Sequence, residues 1–144
     1  MAAIQSATPY LALSGGTVTG NITVGGHLQF TAPFPAIAIA GGAGTSPPAP
    51  VLVTGSNDGA GTITWGTGTA PNTQPQVAVT FGAAWVIPGG GAPHIVLSSN
   101  NSATEALGIF ASGASPTGFS IGLVTAPAAG QGNTTYSVSY VVTG

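Results

Sequence analysis

The sequence predicts an all-β fold whose main body is an antiparallel, jelly-roll-like β-sandwich. Three observations predict it. From Val51 onward the apolar residues recur in short runs of period two, the pattern of strands with one face on a core and one in solvent. Turn-forming residues, 24 glycines and 12 prolines among 144 residues, punctuate nearly every stretch of ten residues, as in proteins built of many short strands. The high Gly and Pro content does not signal disorder, because hydrophobic residues make up 43% of the chain and charged residues 1%, the reverse of a disordered composition.

Taken in order, residues 1–10 are small and polar and read as an extended arm. Leu11 to Phe30 carries its apolar residues in short alternating pairs broken by glycine: Leu11 and Leu13, Val18, Ile22 and Val24, Leu28 and Phe30. Such pieces are too short to bury a core within one chain, but three chains wrapped together can bury them. Residues 1–30 are therefore expected to form an N-terminal extended arm and an intertwined β-stem, and residues 31–50, rich in Pro, Ala and Gly, a stiff neck with a short strand at Ile37 and Ile39. Residues 51–144 are expected to form the sandwich.

Within the sandwich, Val51 to Val53 is a strand, and SNDGAG (Ser56 to Gly61) is a turn, since Asp-Gly suits turns that need positive φ. Ile63 and Trp65 share a face, as do Val77, Val79 and Phe81. Trp85 to Ile87 is read as a strand stopped by Pro88, and His94 to Ser98 as another. Leu107, Ile109 and Ala111 alternate, then Phe119, Ile121 and Leu123, then Tyr136, Val138, Tyr140 and Val142. One helical turn is expected at Ser102-Ala-Thr-Glu105, which matches the capping box and gives Glu105 a capping role.

The composition excludes whole classes of function. With no lysine or arginine, the phosphate neutralisation behind nucleic-acid affinity is missing, and so are a P-loop lysine and any arginine clamp. With no cysteine, a disulfide framework, a thiolate zinc site and a cysteine nucleophile are excluded. Trypsin finds no site in the chain. No apolar run approaches the length of a membrane-spanning helix, no signal peptide is visible at the N-terminus, and no membrane insertion is expected. The formal net charge is −2, and a near-neutral surface favours association.

Two stretches carry a resemblance. Tyr10 to Gly26 (YLALSGGTVTGNITVGG) resembles a short segment common in bacteriophage tail-fibre and related virion-appendage proteins. Ser56 to Gly144 resembles the C-terminal β-sandwich domain of such fibres, through SNDGAGTITWGTG, VAVTFGAAW, APHIVLSSNNSATEALGIFAS, TGFSIGLVTAPAAG and the closing TTYSVSYVVTG. The resemblance implies a homotrimeric fibre, attached to other virion proteins through its N-terminal segment and touching a host-surface glycan or protein with its C-terminal sandwiches. The chain departs from the pattern in being short for a tail fibre and in lacking Lys and Arg, so no ionic receptor contact carries over.

The chemistry-bearing residues are few. Gly118-Phe-Ser120-Ile-Gly122 is a literal G-x-S-x-G, but Pro127 and Gly130 follow closely and Phe119, Ile121 and Leu123 alternate, so a plain strand with Ser120 facing outward is expected in place of a nucleophile elbow. A Ser-His-Asp triad has only Asp58 and one of two histidines to draw on, too few positioned groups for acid–base work. No catalytic residue and no cofactor are expected. His27 is the one residue that a three-fold axis could turn into a three-ligand metal site, but its alternation phase sets it with Thr23 and Gln29, opposite Ile22, Val24, Leu28 and Phe30, so no metal site is expected either. The sequons at Asn21, Asn100 and Asn133 are at chance level in so Asn- and Thr-rich a chain.

Receptor contact, if made, falls to neutral groups. The candidates are Trp85, which precedes a glycine-rich loop; Phe110, whose phase places it either at the surface or between subunits; and the loop residues Asn100, Asn101 and Asn133. Exposed aromatics beside amides can hold a sugar by stacking and hydrogen bonding, although large aromatics are as a rule buried. The expected function is that of a non-enzymatic virion fibre protein, a tail-fibre or fibre-tip subunit that attaches to the host surface and is extracellular in the mature particle. The alternative is a capsid decoration, head fibre or bacterial surface filament subunit without receptor binding.

Overall fold

The structure is a computed structural model that describes residues 33–127 and 134–144. The arm and stem expected at 1–30, His27, and Asn133 lie outside the described residues. Among the described residues there are eight strands, β1 (Ala36–Ile39), β2 (Val51–Leu52), β3 (Ala60–Trp65), β4 (Val77–Thr80), β5 (His94–Ser99), β6 (Ile109–Ser115), β7 (Gly118–Leu123) and β8 (Tyr136–Thr143), with one short α-helix, α1 (Ser102–Leu107), and a 3-10 turn at Gly41–Ala43. They form two antiparallel four-stranded sheets, ordered β1-β4-β7-β6 and β2-β3-β8-β5.

The period-two pattern explains why these sheets stack. Ile63 and Trp65 of β3 and Tyr136, Val138, Tyr140 and Val142 of β8 point inward from the second sheet. Val77 and Val79 of β4 and Phe119, Ile121 and Leu123 of β7 point inward from the first, and all are buried in one cluster. The aromatic members interlock: Phe119 meets Tyr140 edge to face across the gap at 5.7 Å, and Phe81 meets Phe119 along the first sheet at 5.8 Å, separations at which ring pairs contribute about 0.5–1.5 kcal/mol beyond area burial. The intervening residues Thr62, Thr64, Ser137 and Ser139 face outward, and a hydroxyl ladder joins Thr62 Oγ1 to Ser139 Oγ at 3.0 Å.

Two expectations are corrected. The sandwich does not begin at residue 51, because β1 pairs with β4 from Ala36↔Thr80 to Ile39↔Val77 and its Ile37 and Ile39 pack on the core. The expected neck therefore supplies an edge strand: Pro33 and Pro35 precede it, and Pro47, Pro48 and Pro50, which cannot donate to a ladder, lie in the crossover that follows. Trp85 to Ile87 is not a strand but part of the long β4–β5 connection. Its apolar residues do alternate in burial, with Val86 92% exposed, but the backbone turns toward the β6–β7 hairpin, where Trp85 N–H donates to Pro116 O at 2.8 Å.

The connections divide the sandwich into two ends. At the near end lie Pro33, the Ser56–Gly59 turn, the β4–β5 connection, the tight β6–β7 hairpin and Gly144. At the far end lie the crossovers after β1, β3, β5 and β7, including α1. The near-end turn is held from inside: Tyr140 Oη donates to Asn57 O at 2.6 Å. Burial pushes the Tyr140 phenol up to about 12, with the Asp58 carboxylate adding to the rise. A phenol whose folded value lies above its unfolded value of 10 contributes stability that is whole below pH 10 and is lost as pH climbs through the folded value. Urea midpoints are expected to show about 2–3 kcal/mol lost across that alkaline window, and Tyr140→Phe is expected to flatten this limb. An unchanged alkaline limb in the variant would show that the phenol does not carry it.

Candidate functional site

At the far end, α1 is built by a single side chain. Asn101, in extended conformation, accepts from Thr104 N–H at 3.0 Å and from Thr104 Oγ1 at 2.7 Å, while its amide Nδ2 donates to Thr135 O at 2.8 Å. The cap is thus Asn101 and not the expected Ser102–Glu105 box. Glu105 sits exposed in the first turn, where a negative charge suits the helix dipole. Thr104, fully buried, passes the link onward by accepting Ser137 N–H at 2.8 Å. Asn101→Ala should cost about 1 kcal/mol, the usual worth of an N-cap, and the loss of the Thr135 bond should add to it. A urea midpoint unchanged from the parent would remove this role.

Asn100 is exposed, and its amide donates to Ser139 Oγ at 2.8 Å, which extends the outward hydroxyl ladder of the second sheet. Of the neighbouring candidates Asn100 and Asn101, Asn100 is exposed, whereas both ends of the Asn101 amide are engaged in the fold. The β3–β4 crossover is held by its own amides. Gln76, fully buried, donates from Nε2 to Asn72 O at 2.7 Å and to Gln74 O at 2.8 Å, and Asn72 Oδ1 accepts Gln74 N–H at 2.8 Å.

Phe110 lies on the outward face of the first sheet, opposite Gly122 in the β6–β7 register. Its ring occupies the space that a side chain on Gly122 would need, the arrangement by which an aromatic covers a strand glycine. It remains 38% exposed on this chain. The outward neighbours on this face are small: Ala36, Ala38, Ala78, Ser112 and Ser120. Ser120 itself pairs with Ala78 and Ser112 in mid-strand, so Gly118 to Gly122 is extended and makes no strand-to-helix elbow.

Trp85 belongs to the near end, the opposite pole from Asn100 and Asn101. It is half-buried, edge-on to Phe81 at 6.2 Å. The loop that carries it is held by Asp58, whose two oxygens accept Gly82 N–H at 2.9 Å and Ala83 N–H at 3.0 Å. The five proposed contact residues therefore do not form one site. The chain matches no family model, no curated protein and no solved structure. The reading of these surfaces rests on their chemistry alone. Among the described residues no three His, Cys, Asp or Glu side chains gather in a way that could hold a metal ion, and no helix is long and apolar enough to cross a membrane.

Sequence reasoning missed the part played by Asp58. The Asp-Gly pair signalled a turn, but the partners of the carboxylate lie 24 and 25 residues away, beyond any local pattern. The engagement of Asn101 had a local signal: a cap-forming residue immediately before the helical turn.

Proposed function

We propose that this chain is a structural, non-catalytic virion fibre protein, a tail-fibre or fibre-tip subunit assembled as a homotrimer with a jelly-roll-like tip. Its residues 1–30 form the arm and stem and join other virion proteins. The observation that carries the reading is the polarity of the sandwich: Pro33, through which the N-terminal segment reaches it, lies at one end, and the far-end loops, whose one charged side chain among the described residues is Glu105, lie at the other. In a fibre attached through its N-terminal segment, the far end faces the host. The Asn100 loop and the Gly66–Gln74 loop are then the contact surface, with Phe110 on the flank, and adhesion comes from hydrogen bonds and apolar contact multiplied by three linked copies.

Native mass of the isolated protein tests the assembly: a trimer supports the reading and a stable monomer overturns it. Because the chain carries so little charge, raising ionic strength should leave the oligomer intact. Exchanging the Gly66–Gln74 and Ser99–Glu105 loops and scoring adsorption to host cells tests attachment. Adsorption that survives both exchanges would remove the tip role.

A further inference from the structure

The near end carries an apolar cleft of about 280 Å³ lined by Pro33, Asp58, Ala83, Ala84, Trp85 and Val86. Its rim is open to solvent: Val86 is 92% exposed, and Phe34, whose backbone runs against Gly82, is 64% exposed. The walls are nonetheless rigid. Asp58 holds the Gly82 and Ala83 amides, its own N–H donates to Pro33 O at 2.9 Å, and Trp85 N–H donates to Pro116 O at 2.8 Å. A preformed apolar patch with open aromatic and aliphatic side chains calls for an apolar cover.

Three features select that cover. Pro33 both lines the cleft and joins it to residues 1–32, so the preceding residues are tethered beside it. At no more than about 3.6 Å per residue, Phe30 stays within about 11 Å of Pro33 and Leu28 within about 18 Å. Leu28 and Phe30 are two positions apart with polar Gln29 between them, so in extended chain they present one apolar edge. Finally, the only charged side chain in the lining is Asp58, and both its oxygens are taken by loop amides, which leaves an uncharged surface for an uncharged segment.

We propose that Leu28 and Phe30 of the same chain seat in this cleft against Trp85 and Val86 and lock the N-terminal segment onto the sandwich. A tether this short gives an effective concentration in roughly the millimolar range or above, which disfavours external ligands. Trp85 thereby serves as an internal anchor and leaves the set of receptor contacts. The inference takes Leu28 and Phe30 out of the intertwined stem, which is then built from the residues before Leu28, and native mass tests the trimer separately.

The chain has no cysteine, so introduced thiols report proximity without background. In the whole 144-residue chain, Phe30→Cys combined with Val86→Cys is expected to oxidise to a disulfide within one chain, since a bridge needs the two Cα atoms within about 7 Å. Phe30→Cys combined with Val124→Cys, at the far end, should stay reduced. A disulfide that joins two chains would assign the cleft to a neighbouring copy and overturn the proposal, and failure of the Phe30–Val86 pair to oxidise would overturn it too. As a second readout, Phe30→Asp in the cysteine-free chain should raise acrylamide quenching of tryptophan emission and shift it to the red. Trp65 is buried, so this change reports Trp85. Unchanged quenching and emission also count against the proposal.

Discussion

Replacing Asp58 with alanine is expected to cost about 3–5 kcal/mol, because two hydrogen bonds to a charged acceptor, each worth about 1.5–3 kcal/mol, are lost together. The carboxylate is 5% exposed and caps the Gly82 and Ala83 amides at 2.9 and 3.0 Å. Without it the β4–β5 connection loses its inner fastening, and Trp85 rides on that connection. Urea unfolding should show the lowered midpoint, and tryptophan emission should shift to the red before global unfolding. Asp58→Asn keeps one acceptor but sets an N–H₂ against the other amide, so it should fall short of the parent as well. The alkaline behaviour gives an independent check. The Asp58 charge helps to raise the Tyr140 phenol, so its removal lowers the folded value and narrows the alkaline window over which stability is lost. A stability within 1 kcal/mol of the parent, with unshifted emission, would show that the fastening is of no consequence.

Gly68→Ala is expected to be comparably damaging, at about 4–6 kcal/mol, from overpacking of about 1–3 kcal/mol plus three hydrogen bonds worth about 1 kcal/mol each. A methyl group there would overlap the Thr45 carbonyl and press on Pro47 N. At this point the crossover from β1 is stitched to the crossover from β3: Gly68 N–H donates to Ala43 O at 2.8 Å, and Thr45 and Thr69 exchange two bonds of 2.9 Å. Backbone cannot swing aside as a side chain can, so the stitching opens. Gly41→Ala is the matched control, because a methyl group there meets no atom within 4 Å and the change should stay within about 0.5 kcal/mol. Equal midpoints for the two variants in urea would sink the argument from close approach.

The strands that form the core were legible because their apolar residues alternate without interruption. Ile63 and Trp65, Val77 and Val79, Phe119 to Leu123 and Tyr136 to Val142 are all buried on the expected face. Reading failed where local pattern and tertiary context part. The short strand expected at Ile37 and Ile39 is present, but it belongs to a sheet edge and not to a neck, because β4 offers it unpaired backbone. Trp85 and Ile87 look like a strand, yet Pro116 O takes the Trp85 N–H and Asp58 fastens the Gly82 and Ala83 amides just before it. The candidate contact residues were chosen by type and loop position, and nothing local indicates that Trp85 and Asn100 stand at opposite ends of the sandwich.

By itself the sequence determined the all-β class, the inward faces and the absence of cationic chemistry, since periodicity and composition are local or additive properties. The tertiary structure alone decided which of the 24 glycines has no room for a side chain, where the single aspartate spends its charge and which end of the sandwich each loop occupies. Those outcomes depend on contacts between residues far apart in the chain, whose proximity exists only once the two sheets have closed on one another.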